Sequence, residues 1–274
     1  MSQANDAPAA APAAARPRGN GKMRTELIVW ACRLALLGSI IGLWEAAIRF
    51  GWVDPFFIGR PAEIGSYLVK GLESGLIWLH ARVTLAEALA GLFFGSTGGI
   101  LTGFLLARFP LAERVLDPFL LALNALPRIA LAPIFILWLG LGPASKIAVS
   151  ISLVYFILVI NTRAGVRSVD SDLLIASRLL GATPRQQFIK VIMPSCVPPI
   201  FAGLRLGIQY SLLGAVGAEL IGAERGMGQQ IAYFAGTFQV SGVFAMLIVL
   251  AVISMSLALA ASALERRLLR WQEP

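Results

Sequence analysis

The 274-residue chain is 57% hydrophobic and only 14% charged, with a mean hydropathy of +0.77. Soluble domains carry roughly 25% charged residues, so the composition is that of an integral membrane protein, and its long apolar runs are read as helical spans of an all-α fold. The net charge is +8, but the basic residues flank apolar segments instead of lining one face, which argues against nucleic acid as a partner. His80 is the only histidine, which excludes a His-rich metal site, and Cys32 and Cys196 lack metal spacing.

Residues 1–25 are rich in Ala and Pro, have no apolar periodicity and read as a disordered tail. Arg16, Arg18, Lys22 and Arg24 precede the first apolar run and predict a cytoplasmic N-terminus by the positive-inside rule. That run, residues 27–48, is too long for a signal-peptide core, and no small-residue cleavage site follows it. Trp30 and Trp44 near its ends suit the membrane interfaces. Residues 49–79 are expected on the exterior, with a surface helix over 62–72 opened by Pro61.

A second span is expected over 83–107. Gly91, Gly95, Gly99 and Gly103 recur every four residues and make a smooth strip that lets another backbone approach. The strip serves either a dimer contact or packing within the subunit. Glu87, inside this span, is either a partner for Arg82 or a group facing water. A third span, 118–139, is interrupted by Pro127, Arg128 and Pro133; broken helices are tolerated in membranes where they face protein or a water-filled cavity. Arg128 therefore either lines a cavity, snorkels or pairs with a carboxylate. The sequence GLGPASK, 140–146, is a tight exterior turn and not a P-loop, because Gly-Lys-Ser/Thr is absent.

Further spans are expected over 147–162, 198–221 and 243–264. Arg205 and Glu219 fall inside the fifth, and a short exterior helix is expected within 222–242. Glu265, Arg266, Arg267 and Arg270 place the C-terminus in the cytoplasm. About six spans result, with both termini inside. The layout is a tail (1–25), a first span with its exterior segment (26–80), a five-span core (81–265) and a cytoplasmic end (266–274). Arg128, Arg205 and Glu219 are the candidates for a translocation pathway, since ionisable groups within spans face water or the bundle interior; pairing with one another is the alternative.

Between the fourth and fifth spans lies SDLLIASRLLGATPRQQFIKVIMP, residues 171–194, expected in the cytoplasm. Its punctuation predicts two short helices meeting at a bend. Asp172 or Ser171 caps the first, and Gly181 ends it in the left-handed conformation. Thr183, Pro184 and Gln186 form a capping box with proline at the first helical position, and Pro194 is expected to stop the second helix. Such a polar elbow either docks on a cytoplasmic partner or merely connects two spans.

The stretch resembles the EAA loop of permease subunits of binding-protein-dependent ABC importers. Ala176, Gly181 and Pro194 match that motif, while Ile175 stands for its Glu and Ser177 for its second Ala. LNALPRIALAPIFILWLGLGPASKI (123–147), NTRAGVRSVD (161–170), GLRLG (203–207) and AELIGAERGMGQQI (218–231) resemble the nitrate/sulfonate/taurine group of these permeases. The resemblance implies a type I ABC importer permease fold with a cytoplasmic coupling helix, in the bacterial inner membrane. It implies a second copy of the permease, two cytoplasmic ATPase subunits that bind ATP and Mg, and a periplasmic solute-binding protein. It also implies that Ala176, Ser177, Gly181, Ala182, Thr183, Pro184, Arg185, Gln186 and Pro194 couple to the ATPase. The solutes implied are nitrate-, sulfonate- or taurine-like small anions or related organic solutes. The chain has no Walker motif, so no catalytic residue and no cofactor of its own is expected. The rival reading is a secondary transporter or channel that works alone; neither an internal repeat nor many intramembrane acids support it.

Overall fold

The computed structural model describes residues 20–268, with side chains for 25–267. The expected disorder of the N-terminal tail, with Arg16 and Arg18, and the placement of Arg270 lie outside the described residues. By its contacts the chain divides into two compact units, 1–54 and 55–274. In the first, α1 (Asn20–Arg49) is one long apolar helix.

In the second unit the chain continues as α2 (Pro55–Ile58), α3 (Pro61–Glu73), α4 (Leu76–Arg108) and α5 (Pro110–Ala125). A 3₁₀ turn (Arg128–Leu131) leads into α6 (Ala132–Leu139), followed by α7 (Pro143–Arg167), α8 (Ser171–Leu179) and α9 (Pro184–Gln187). A π-helical turn (Phe188–Ile192) then joins α10 (Met193–Ile221), and α11 (Met227–Gly236) and α12 (Val240–Leu268) complete the order. The unit boundary falls after Asp54 and not after residue 80, because α2 and α3 belong with the later helices. Arg60 N–H donates to Ser241 Oγ (3.2 Å), Ser241 Oγ–H to Glu63 Oε2 (2.8 Å), and Tyr67 OH to Gln239 Oε1 (2.8 Å). Proline opens α3 as expected, its missing N–H being one that a first helical turn leaves unpaired anyway.

Among the described residues five helices are long and apolar enough to cross a membrane, and α5 with α6, bent by 84°, makes a sixth if the pair counts as one span. The bent pair does traverse the bundle. At its start Glu113 is ion-paired with Arg163 and Arg167 at the C-terminal end of α7 (2.5 and 2.7 Å). At its finish Leu141 packs beside Gly222, at the opposite end of α10.

The core is the three-helix contact of α4, α7 and α10, where Val149, Val154, Leu158, Ala215 and Ala218 are fully buried. The glycine strip decides how close α4 comes to α7. A Cβ on Gly91 would stand 2.2 Å from Ser150 Cβ, on Gly99 2.4 Å from the Tyr155 carbonyl oxygen, and on Gly103 2.6 Å from Thr162 Cβ. Of the two uses expected for the strip, packing within the subunit is the one observed. Without a hydrophobic driving force between helices in lipid, such backbone approach is what holds them together.

Candidate functional site

Two sites lie at opposite ends of this bundle. The first is the elbow formed by α8 and α9. Asp170, one residue before the expected caps, begins α8 by accepting the Asp172 N–H (2.8 Å). Asp170 has a non-helical backbone (φ −58°, ψ 122°), as an N-cap requires, whereas Ser171 and Asp172 are already helical. Gly181 is left-handed (φ +81°), as expected. The Ala182 N–H donates to the Ser177 carbonyl (3.0 Å) and the Gly181 N–H to that of Arg178 (2.9 Å). These two bonds make a Schellman motif, which satisfies the last carbonyls of α8. Thr183 then caps α9: its Oγ1 accepts from the Gln186 N–H (3.3 Å), and Gln186 Oε1 accepts from the Thr183 N–H (2.8 Å).

A strut that local punctuation does not reveal braces the bend. The buried Gln187 donates through Nε2 to Ser177 Oγ (2.7 Å) and to the Leu174 carbonyl (3.0 Å), tying α9 back onto α8. Pro194 does not stop a helix. The Met193 N–H bonds to the Phe188 carbonyl, five residues back, so the chain passes through a wide π turn straight into α10 with Pro194 in its first turn. The widened turn absorbs the clash and the missing donor that a proline brings to an α-helix. Large apolar side chains stand out from the elbow among exposed charged ones: Leu179 and Leu180 are 84% and 87% exposed, and Ile175, at the position of the motif's Glu, is 54% exposed.

The second site is a buried polar cluster at the opposite end. Glu219, 1% exposed, accepts from Thr84 Oγ1–H (2.7 Å) and, through Oε2, from the Gly228 N–H (2.6 Å). Thr84 Oγ1 in turn accepts the Met227 N–H (2.8 Å), and His80 Nδ1 lies 3.0 Å from both the N–H and the carbonyl oxygen of Gly226, accepting from the first or donating to the second according to its tautomer. Three side chains from α4 and α10 thus take up the free amides at the start of α11, where an oxygen acceptor is also favoured by the helix dipole. Glu87, 3% exposed, borders a pocket with Lys146, Glu224 and Arg225, and its Oε2 has no hydrogen-bond partner; no ion pair with Arg82 is observed among the described residues. Lys146, fully buried, donates to the carbonyls of Leu141 and Gly142 and so closes the 140–146 turn.

The three pathway candidates do not meet. Arg128, 7% exposed, splints the break in the α5–α6 crossing. It donates to Asn124 Oδ1 (2.6 Å), the Leu123 carbonyl (3.4 Å) and the Ser152 carbonyl of α7 (2.9 Å), beneath the Phe156 ring at 4.1 Å. It neither snorkels nor pairs with a carboxylate, because these carbonyls and the ring already satisfy it. Arg205 pairs with Glu265 of α12, not with Glu219. Glu219 is the cap just described. The i, i+4 and i+7 spacing of His80, Thr84 and Glu87 places them on one face of α4 and was the available signal for the cluster. Nothing in the spacing showed that Lys146 or Gln187 would be buried.

The profile of the family described as "Binding-protein-dependent transport system inner membrane component" matches residues 95–270. The chain belongs to this family. A Bacillus subtilis (strain 168) protein named as an aliphatic sulfonates transport permease, SsuC, is 33% identical over 89% of this chain and 88% of its own length. The riboflavin transport system permease protein RibX of Chloroflexus aurantiacus is 32% identical, covering 85% of this chain and 87% of that one. The taurine transport system permease protein TauC of Escherichia coli (strain K12) is 29% identical, covering 92% and 96%. Among solved structures, the inward-facing MetNI methionine ABC transporter superposes with a TM-score of 0.63 at 20% identity, over 70% of this chain and 97% of that one. An amino acid ABC transporter gives 0.57 at 18%, over 74% and 97%. At those identities the likeness is one of fold, and it is the importer permease fold. The chain is therefore a multi-pass transmembrane permease subunit of an ABC importer; the stand-alone transporter reading is not favoured. The glycines of AELIGAERGMGQQI have a structural reason: a Cβ on Gly226 or Gly228 would collide with Glu219 or with the Val216 carbonyl, at 2.2 and 2.5 Å.

Proposed function

We propose that two copies of this permease form a solute pathway between them and that each docks its elbow onto a cytoplasmic ATPase subunit. ATP and Mg are bound by those ATPase subunits. A solute-binding protein delivers its cargo to the opposite, periplasmic face. In this scheme both termini lie in the cytoplasm of a bacterial cell, with the permease in its plasma membrane. Ala176, Ser177, Gly181, Ala182, Thr183, Pro184, Arg185 and Gln186 form the docking lever, and Pro194 passes its displacement into α10. The observation that carries this reading is the pairing of a capped bend with the exposed leucines Leu179 and Leu180 at its tip. Large exposed apolar patches that lie off the membrane mark protein contacts, and a lever must be stiff to move a span. The test is Leu179→Glu with Leu180→Glu: the permease should reach the membrane at the wild-type level while the ATPase no longer co-purifies. Undiminished co-purification would reject the docking role.

For the solute we propose small sulfonates of the aliphatic or taurine type, on the strength of the relatives so named. The test is ATP-dependent uptake of labelled taurine and of an alkanesulfonate into vesicles holding the whole transporter. Uptake of riboflavin without uptake of either sulfonate would replace this class by the flavin one.

A further inference from the structure

At the elbow end a cavity of about 620 Å³ opens between the last two turns of α4 and the start of the α9–α10 segment. Its wall is apolar: Leu101, Phe104 and Leu105 from α4, and Phe188, whose ring meets that of Phe104 at 5.4 Å. Its rim is basic, with Arg108 and Arg185, and no acidic side chain lines it. Leu101, Phe104, Leu105 and Arg108 follow one helix face at i, i+3, i+4 and i+7, so the apolar strip runs straight into the charge. Leu101 and Leu105 are more than half exposed. Among the described residues neither arginine has a carboxylate partner, and Arg108 rests only over the Phe109 ring at 5.5 Å. A basic rim above an apolar wall, at the level where a span ends, is complementary to an amphiphile with an anionic head.

We infer that this cavity holds one anionic phospholipid. Its phosphate lies between the Arg108 and Arg185 guanidinium groups, which form forked hydrogen bonds to phosphate, and its acyl chains lie along Leu101 and Leu105. Basic pockets between spans on the cytoplasmic side recognise such headgroups. A free phosphate would use the rim and leave the wall bare, and an acidic segment of the ATPase would do the same. The leaflet assignment rests on the proposed orientation of the elbow; the site itself does not. Because Pro184 and Gln187 also border the cavity, the headgroup links the end of α4 to the lever.

The assembled transporter, purified in mild detergent, would be titrated with phosphatidylglycerol or phosphatidylcholine and examined by native mass spectrometry. The wild type should retain phosphatidylglycerol in preference to phosphatidylcholine, and glycerol phosphate should not displace it. Arg108→Gln and Arg185→Gln should each weaken retention about fivefold, and the double variant more; Arg225→Gln, at the opposite end, should leave it unchanged. Both arginines are exposed and unpaired, so the single variants should fold. Equal retention of the two lipids, wild-type retention by the double variant, or loss of the lipid whenever the ATPase is bound would each overturn the assignment. Retention is read without transport, so it fails or holds independently of the docking proposal.

Discussion

The elbow and the buried cluster stand at opposite ends of the same helices and are built by opposite means. Every bond that shapes the elbow joins residues at most 13 positions apart. The bonds that join α4 to α10 and to the start of α11 in the cluster link residues 135 to 146 positions apart. The elbow can therefore keep its shape while the spans move, whereas the cluster exists only when α4, α10 and α11 are packed together. The first is suited to a lever and the second to a clasp.

The sharpest way to break that contrast is to strike the clasp. Gly226 has φ +129°, and a Cβ there would lie 2.2 Å from Glu219 Cδ. Gly226→Val adds backbone strain to overpacking and should cost about 4 kcal/mol in all. The protein should then emerge from the membrane aggregated, as read by size exclusion in detergent. A monodisperse peak at the wild-type position would show that the clasp carries no stability. Glu219→Gln is milder. The amide keeps one acceptor but turns its NH₂ toward a donor, either Thr84 Oγ1–H or the Gly228 N–H. It should cost about 2 kcal/mol, seen as a lower thermal midpoint in detergent, and assembly should suffer before transport does.

The same contrast explains what could be read from the chain. The capping box at Thr183, the left-handed Gly181 and the proline at the start of α3 are local rules, and they predicted geometry to the residue. Six crossings followed from hydropathy, including the one broken at Pro127. The glycine strip was visible, but its partner was not, because spacing on one helix does not name the helix that faces it. Arg128, Arg205 and Glu219 were singled out as ionisable groups within spans, and of the three only Arg128 and Glu219 are buried. Their partners (an amide and carbonyls, Glu265, and the start of α11) lie on other elements, so a pairing among the three was only one of many possibilities. Pro194 misled for a related reason: the rule that proline ends a helix assumes regular i→i−4 bonding, and the π turn removes that condition.

Striking the lever should give the reverse pattern. Gly181→Val forces a β-branched residue into the left-handed region at a cost of about 1–2 kcal/mol, and no atom lies within 4 Å to be displaced by its Cβ. Strain should therefore tilt α9 without disturbing the spans. Membrane levels and the detergent peak should be those of the wild type, while ATP-dependent uptake falls at least as far as ATPase co-purification. Wild-type uptake would mean that the angle of the elbow is unimportant. Thr183→Ala removes one cap and should cost about 1 kcal/mol, giving a partial loss of uptake in the same assay.

The smallest effect is expected at Arg205, and it tests whether an intramembrane arginine is informative in itself. Arg205 and Arg128 are both ionisable groups within spans, and composition treats them alike. Their surroundings differ. Arg128 is buried and donates to three oxygens that bind α5 to α7, whereas the Arg205 side chain is 51% exposed and has Glu265 as its one ion-pair partner among the described residues. A partly exposed ion pair is worth about 0–1 kcal/mol, and Glu265, near the end of α12, remains within reach of water when its partner is removed. Arg205→Gln should therefore shift the thermal midpoint little. Arg128→Gln should lower it clearly, by about 2 kcal/mol, through hydrogen bonds lost to a buried guanidinium. Equal shifts for the two variants would mean that burial and partner count, as seen here, do not set the worth of an arginine in this bundle. A larger loss for Arg205 would place its pair with Glu265 among the contacts that hold α10 to α12.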